Sequence, residues 1–292
     1  MQPSNVPTFK LGLIGFPLGH SLSPKIHTAA LLSCGLGGDY SLFPIQLDDK
    51  QSLEDLLHQV RAGKIHGLNV TIPHKQNVIP FLDGLTPTAL AVGAVNTIYL
   101  RNHKLIGDNT DAPGFLADLH GFLGGQKLSF VRRPSSLVLG AGGSARAVVY
   151  ALVNDGWDVT IAARRIDQAQ KLALQFRNTK TIEFDLQTFQ HSGLQLIVNT
   201  TPLGMLPNLD QSPWPDDLSL PENTAIYDLI YNPHETKLTR AARLQGLKAT
   251  TGLGMLIEQA ALAFEIWTNH HPARETMRTS VEQSPITNYR AF

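Results

Sequence analysis

The residues best suited by type and spacing to hold a ligand lie in Leu137-Val-Leu-Gly140-Ala141-Gly142-Gly143-Ser144-Ala145-Arg-Ala-Val-Val149. The frame is G-x-G-x-x-A, set between an apolar strand pattern and a helical one. Gly140 permits a tight turn, Gly142 lets the backbone approach a pyrophosphate, and Ala145 lets the helix pack close on the strand. The helix start adds free N–H groups and positive dipole for phosphate oxygens. A strand-to-helix turn that holds no ligand has the same glycines, so the next strand carries the weight. An NAD site places a carboxylate about 20 residues on, at the end of the second strand. Here Trp157-Asp-Val-Thr-Ile-Ala162 runs into Ala163-Arg164-Arg165. Guanidinium groups match a ribose 2′-phosphate, and no carboxylate repels it. The expected cofactor is NADP(H), whose chemistry is hydride transfer.

A second set of polar residues sits in the first 115 positions. Gly15-Phe-Pro-Leu-Gly-His20-Ser21-Leu-Ser23-Pro24 sets two hydroxyls ahead of a helix start. Ser23 before Pro24 also reads as an N-cap with proline at the first helical position. Gly67-Leu-Asn69-Val-Thr71-Ile-Pro73-His74-Lys75 puts Asn69 and Thr71 on one face of a strand end, with Lys75 just beyond. Gly93-Ala-Val-Asn96-Thr97 and Gly107-Asp108-Asn109-Thr110-Asp111-Ala-Pro-Gly114 add an amide and a carboxylate. Asp111 also suits a helix N-cap. Strand ends of this kind are where open α/β sheets hold their ligands.

The elements that must position these groups alternate, short apolar runs with longer helical patterns, which predicts α/β architecture with mainly parallel sheets. Strands are expected at residues 11–15, 40–47 and 65–72, and helices at 24–32 and 51–60. Residues 96–108 read as a hairpin around Asn102-His103. After a domain crossing near 112–115, strands are expected at 136–139, 158–162, 181–184, 194–199, 225–228 and 248–250, the strand count of a Rossmann-like dinucleotide-binding domain. A last helix, 255–269, is apolar on more than one face and should be buried at a domain interface. The polar tail from 270 onward is expected to fray. The two-domain division is 1–112, completed by 253–292, for substrate and catalysis, and 113–252 for NADP.

Composition excludes several classes. Lys plus Arg and Asp plus Glu both number 24 among 292 residues, so no basic surplus points to nucleic acid or an anionic membrane. No stretch of about 18 apolar residues is present and no secretory signal begins the chain. The single cysteine, Cys34, forbids an internal disulfide and a cysteine-rich zinc site and fits a reducing, cytoplasmic setting. The histidines lack metal-ligand spacing and are expected at the surface. His20 and His27 fall near the polar segments without an assigned role. No metal is expected; the expected partner is a small-molecule substrate, with a homodimer one option for assembly.

Taken in order, these blocks resemble shikimate dehydrogenase, of the shikimate/quinate dehydrogenase family. The likeness continues through Asn199-Thr-Thr-Pro-Leu-Gly-Met205, Asp228-Leu-Ile-Tyr231-Asn-Pro233 and Gly252-Leu-Gly-Met-Leu-Ile-Glu-Gln259-Ala260. The resemblance implies that Ser21 and Ser23, helped by Tyr231, hold a substrate carboxylate. It implies that Asn69, Thr71, Asn96 and Gln259 bond the ring and its hydroxyls. Lys75 and Asp111 would flank the reacting hydroxyl as the catalytic pair. Gly140, Ala141, Gly142, Gly143, Ser144, Ala145, Arg164, Thr200, Met205 and Gly252 would line the NADP site, with Arg165 standing in for a second arginine. The chain departs from the family at Ala163, where asparagine is usual, and at Gln168, where that arginine is usual. The loop 126–135 is longer than is usual in the family.

The activity implied is reversible NADPH-dependent reduction of 3-dehydroshikimate to shikimate, in chorismate and aromatic amino acid biosynthesis. The alternatives are a quinate/shikimate dehydrogenase that uses NAD and a catalytically silent NADP-binding regulatory protein on the same scaffold. Lys75 and Asp111 count against the silent reading, and the serine pair favours shikimate over quinate, which carries an additional hydroxyl beside its carboxylate.

Overall fold

Strand β1 (Thr8–Gly15) is buried on both faces over its second half, and α1 (Ser23–Ser33) follows with Pro24 in its first turn. In the computed structural model, residues 6–124, 133–184 and 193–282 are described. The chain divides into two compact units. The first holds Met1–Leu85, Val95–Asp108 and Ala260–Phe292; the second holds Thr86–Ala94 and Asn109–Gln259.

In the first unit, β1 pairs in parallel with β2 (Gly37–Pro44) on one side and β3 (Gly67–Val70) on the other. Helix α2 (Lys50–Arg61) makes the crossover between β2 and β3 and is capped by Asp49, whose carboxylate accepts from Ser52 N at 3.1 Å. The short α3 (His74–Asn77) and a single 3₁₀ turn (Ile79–Phe81) lead to β4 (Gly84–Leu85). Strands β5 (Thr97–Arg101) and β6 (Lys104–Asp108) form the expected hairpin. Asn102 and His103 both have positive φ, 51° and 61°, the backbone that a two-residue type I′ turn requires. The sheet order is β2-β1-β3-β5-β6-β4, with antiparallel pairing confined to β3–β5 and β5–β6.

The second unit begins with α4 (Pro87–Val92), capped by the Thr86 hydroxyl, and α5 (Asp111–Leu123). Then β7 (Ser135–Leu139), α6 (Gly143–Asn154), β8 (Asp158–Ala163), α7 (Ile166–Ala173), β9 (Thr179–Glu183), β10 (Leu194–Asn199), β11 (Ala225–Asp228), α8 (Lys237–Leu244) and β12 (Ala249–Thr251) follow. All pairs are parallel, in the order β12-β11-β10-β7-β8-β9. Alternate residues feed cores on the two faces: Val138, Val159, Leu196 and Tyr227 on one, Leu137, Leu139, Ile197 and Ile226 on the other. Near-continuous apolar strands are the mark of a parallel sheet covered on both sides.

Helix α9 (Leu253–Thr268) is buried on several faces, as its composition predicts. The tail differs from expectation: α10 (Arg274–Glu282) packs on α1, burying Met277 and Val281 completely or nearly so. Those two apolar side chains, four apart in a polar stretch, form one narrow helical face. Of the long loop expected at 126–135, residues 126–132 lie outside the described residues. No helix among the described residues is long and apolar enough to cross a membrane.

Candidate functional site

The glycine turn lies wholly in the second unit. Gly140 leaves β7 with φ +111° and donates its N–H to Ala162 O at 2.8 Å, which ties the turn to the end of β8. A Cβ on Gly140 would lie 2.6 Å from Thr200 Oγ1, so a side chain is excluded on steric as well as backbone grounds. Thr200 leaves β10 and bonds the end of β7 twice, through its N–H and its hydroxyl to Leu139 O at 2.9 and 2.7 Å. Gly142 is the N-cap of α6 and Gly143 its first residue, with no side-chain cap. A Cβ on either would meet nothing within 4 Å, so the space beside the start of α6 is open. Ala145 is fully buried beneath the turn.

Arg164 and Arg165 are exposed just past β8, Arg165 at the N-cap of α7. Gly252 follows β12; its N–H donates to Ile230 O at 3.0 Å, and a Cβ there would sit 2.1 Å from Leu229 O. Met205 is 43% exposed in the loop after β10. An open glycine cradle at a helix N-terminus, with two guanidinium groups at the adjacent strand end and no carboxylate, fits a dinucleotide that bears a 2′-phosphate.

A polar network braces the loops after β10 and β11. Asn199 Nδ2 donates to Asp228 Oδ1 at 2.9 Å, and its Oδ1 accepts from Thr201 N and Oγ1. Asp228 Oδ2 accepts from Thr236 Oγ1 at 2.7 Å, and its Oδ1 from Ile230 N at 3.1 Å. Burial pushes the Asp228 carboxyl up to about 6, against the pull of those donors. The carboxylate pins the segment that carries Tyr231, which is half-buried and whose phenol desolvation raises. Asn199, Thr201 and Asp228 fall in the motifs at 199–205 and 228–233, whereas Thr236 lies outside them, and spacing alone does not reveal this bracing.

Asp111 also belongs to the second unit, as the first residue of α5, and is 5% exposed. The N-cap is Thr110, so Asp111 does not cap that helix. Gln259 turns its Nε2 back to Leu256 O at 2.8 Å, and Gly114 of α5 lies against its backbone, where a Cβ would come within 2.7 Å of Gln259 N.

The first unit gathers Ser21, Ser23, Asn69, Thr71, Lys75 and Asn96 near the carboxyl ends of β1 and β3. Gly15 lets these ends pass: a Cβ there would lie 2.3 Å from Thr71 Cγ2. Ser23 is the first residue of α1 rather than its cap, since the N-cap is Leu22 without a side-chain bond; its N–H donates to Ser21 Oγ at 3.2 Å. Both serines are half-buried. Strand β3 stops at Val70, so Thr71 lies just beyond it, held by its N–H to Ile14 O at 2.8 Å. Lys75 sits in α3, its carbonyl accepting from Val95 N at 2.7 Å. His74 beside it is buried and bonds Ile45 O through Nε2 at 2.7 Å. Asn96 is 2% exposed and accepts the Thr97 hydroxyl on Oδ1 at 3.0 Å.

His27 and His74 correct the expectation that the histidines lie at the surface: they are 0% and 1% exposed. His27 occupies the apolar face of α1 with Ile26, Ala30 and Leu31, a position that periodicity assigns to the core. Tyr40, which no motif singled out, donates its hydroxyl to Asn69 Oδ1 at 2.7 Å.

An all-parallel sheet of this order with a glycine turn after its first strand, joined to a second α/β unit, defines a two-unit dinucleotide-binding protein. Family models match at residues 13–98 (shikimate dehydrogenase substrate binding domain), 123–195 (shikimate / quinate 5-dehydrogenase) and 252–282 (shikimate 5′-dehydrogenase C-terminal domain). Shikimate dehydrogenase (NADP+) of Carboxydothermus hydrogenoformans is 39% identical over 274 residues, 92% of this chain and 95% of its own. Shikimate 5-dehydrogenase of Thermus thermophilus, solved in complex with NADP(H) and shikimate, superposes with TM-score 0.82 at 39% identity, over 93% of this chain and 98% of that one. Quinate dehydrogenase of Corynebacterium glutamicum, solved in complex with NAD, gives TM-score 0.84 at 32% identity, over 94% and 98%. The chain belongs to the shikimate dehydrogenase family.

Proposed function

We propose that this chain is an NADP(H)-dependent shikimate dehydrogenase, reversibly reducing 3-dehydroshikimate to shikimate on the way to chorismate and the aromatic amino acids. The observation that carries the cofactor choice is Arg164-Arg165 at the end of β8, beside the open glycine cradle. Bound NADP(H) supplies or takes up the hydride at the carbon that bears the reacting hydroxyl. The chain's own residues do the rest. The N–H groups at the start of α6 hold the pyrophosphate, and Arg164 with Arg165 pairs with the 2′-phosphate; Thr200, Met205 and Gly252 complete that wall. Ser21 and Ser23, with Tyr231, hold the substrate carboxylate, and Asn69, Thr71, Asn96 and Gln259 hold the ring hydroxyls. Lys75 and Asp111 take the proton from the reacting hydroxyl in one direction and return it in the other. We assign substrate binding and catalysis to residues 1–112 with 253–292, and NADP binding to 113–252. A single cysteine, Cys34, supports a reducing setting, and we place the enzyme in the cytoplasm.

The test is NADP reduction with shikimate and quinate side by side, each repeated with NAD. Shikimate with NADP is expected to give the highest kcat/KM. Faster NAD-linked quinate oxidation would favour the second reading, which the likeness to the Corynebacterium enzyme keeps in view. Silence with both acids and both cofactors would favour a regulatory protein. Arg164→Ala should weaken NADP binding by about tenfold or more while barely moving NAD, because a charge-assisted phosphate contact worth about 1.5–3 kcal/mol is lost for one dinucleotide only. Equal losses for the two would remove the phosphate clamp from the account.

A further inference from the structure

We infer that Tyr40 is a positioning residue for substrate, fixing the Asn69 amide so that it offers one donor and one acceptor to a ring hydroxyl, with the stacked His27 ring holding the Tyr40 ring in place. The inference rests on the proposed shikimate reading. Tyr40 stands opposite Leu11 in the β1–β2 register, and Asn69 opposite Leu13 in the β1–β3 register. Leu11 and Leu13 are two apart, so Tyr40 and Asn69 share one face of the sheet with β1 between them. The Tyr40 hydroxyl bridges that gap to Asn69 Oδ1 at 2.7 Å, and Asn69 Nδ2 donates to Asn96 O at 3.2 Å.

The second bond settles which end of the amide is which, because only the NH2 can face a carbonyl. A primary amide has two N–H donors and two acceptor lone pairs. Tyr40 and Asn96 take one of each, and what is left matches an alcohol, which donates once and accepts readily. Ser23, one helical turn before His27 on α1, is also a hydrogen-bond neighbour of the Tyr40 hydroxyl. The tyrosine therefore ties together two of the residues assigned to substrate.

The Tyr40 ring is held by packing. His27 stacks on it with ring centroids 4.4 Å apart and planes 3° from parallel, and Trp267 lies 5.4 Å from His27. Trp267 is itself fixed by Nε1 donating to Ile98 O at 3.1 Å and by Gly67, where a Cβ would come within 2.2 Å of the indole. Neither ring nitrogen of His27 makes a hydrogen bond of full geometry, the Asn69 side chain being a polar neighbour only, so a charge there is poorly supported. Burial lowers the imidazole and raises the phenol, which keeps the shelf uncharged beside an anionic substrate.

Tyr40→Phe removes the hydroxyl and keeps the stacked ring. In NADP-linked shikimate oxidation its shikimate KM should rise about tenfold, the size of one lost hydrogen bond in a buried site, with kcat and the NADP KM within about twofold of wild type. A residue that serves stability alone would not produce that split. In an Asn69→Ala background the same substitution should add no further loss, because the group it aims is already gone. An unchanged shikimate KM, or equal losses in both backgrounds, would overturn the inference while leaving the dehydrogenase reading intact. A wild-type protein inert toward shikimate would overturn both.

Discussion

Lys75→Ala is expected to lower turnover by about 100-fold or more, with NADP affinity nearly unchanged. General acid–base groups contribute about 10²–10⁴-fold, so even the low end corresponds to about 2.7 kcal/mol of lost transition-state stabilisation. The fold around the site should survive, because α3 is held by main chain and neighbour rather than by this amine: Val95 N donates to Lys75 O, and His74 bonds Ile45 O. Cofactor affinity should stand because the glycine turn, Arg164 and Thr200 all lie in the second unit, whereas Lys75 lies in the first. Asp111→Asn should lower turnover to a similar degree, and the double variant should lose little more than either single one, as groups that handle one proton do. Steady-state kcat and an NADP titration of each variant check this. Near-normal turnover in Lys75→Ala would remove the lysine from the chemistry.

Acid should act strongly through His27. Its folded value lies at about 3 against 6.5 for the free imidazole, chiefly because the ring is buried, with the Asn69 side chain opposing. The unfolded chain therefore takes up a proton below about pH 6.5 that the folded chain refuses. Stability from this group is complete above 6.5 and is lost as pH falls toward 3, at about 1.4 kcal/mol per pH unit and about 5 kcal/mol in all. Asp228 acts in the opposite sense. Its folded value, about 6 against 3.8, means that the folded state keeps a proton the unfolded chain gives up, so its contribution falls by about 3 kcal/mol as pH rises from about 4 to 6. In the wild type the two slopes partly cancel across that window, and single variants separate them. Against His27→Phe, which preserves the stack on Tyr40, the wild-type stability advantage should grow steadily from pH 4 to 6.5 in urea unfolding. A constant difference across that range would mean that the imidazole takes up protons in the folded state.

Much of the fold was legible because its signals are local. Asn102-His103 between two alternating runs specified a hairpin, and six short apolar runs after residue 135 matched the parallel sheet strand for strand. The glycine turn with its two arginines could likewise be read, because backbone clearance and phosphate chemistry constrain neighbouring residues together. What stayed hidden is long-range. Tyr40 and Asn69 are 29 residues apart and meet only because β2 and β3 flank the same strand. His27 is polar by type and core by position, and only its helical neighbours reveal which prevails. The helix at 274–282 was missed because two apolar residues in nine make a weak stripe until α1 lies beneath them.

Arg146, one residue past the glycine frame, donates Nε to Val92 O at 2.8 Å, and a Cβ on Gly93 would come within 2.7 Å of its Nη2. Through this grip a stretch encoded amid the substrate-side strands becomes part of the cofactor-side core, where Val92 and Ala94 pack with Val148. The polypeptide thus passes between its two bodies at residues 85–86, 94–95, 108–109 and 259–260. Neither body is an uninterrupted run of codons, so on the ribosome neither finishes its core before nearly the whole message has been read. Gene fragments that recombine at one boundary would transfer neither half intact.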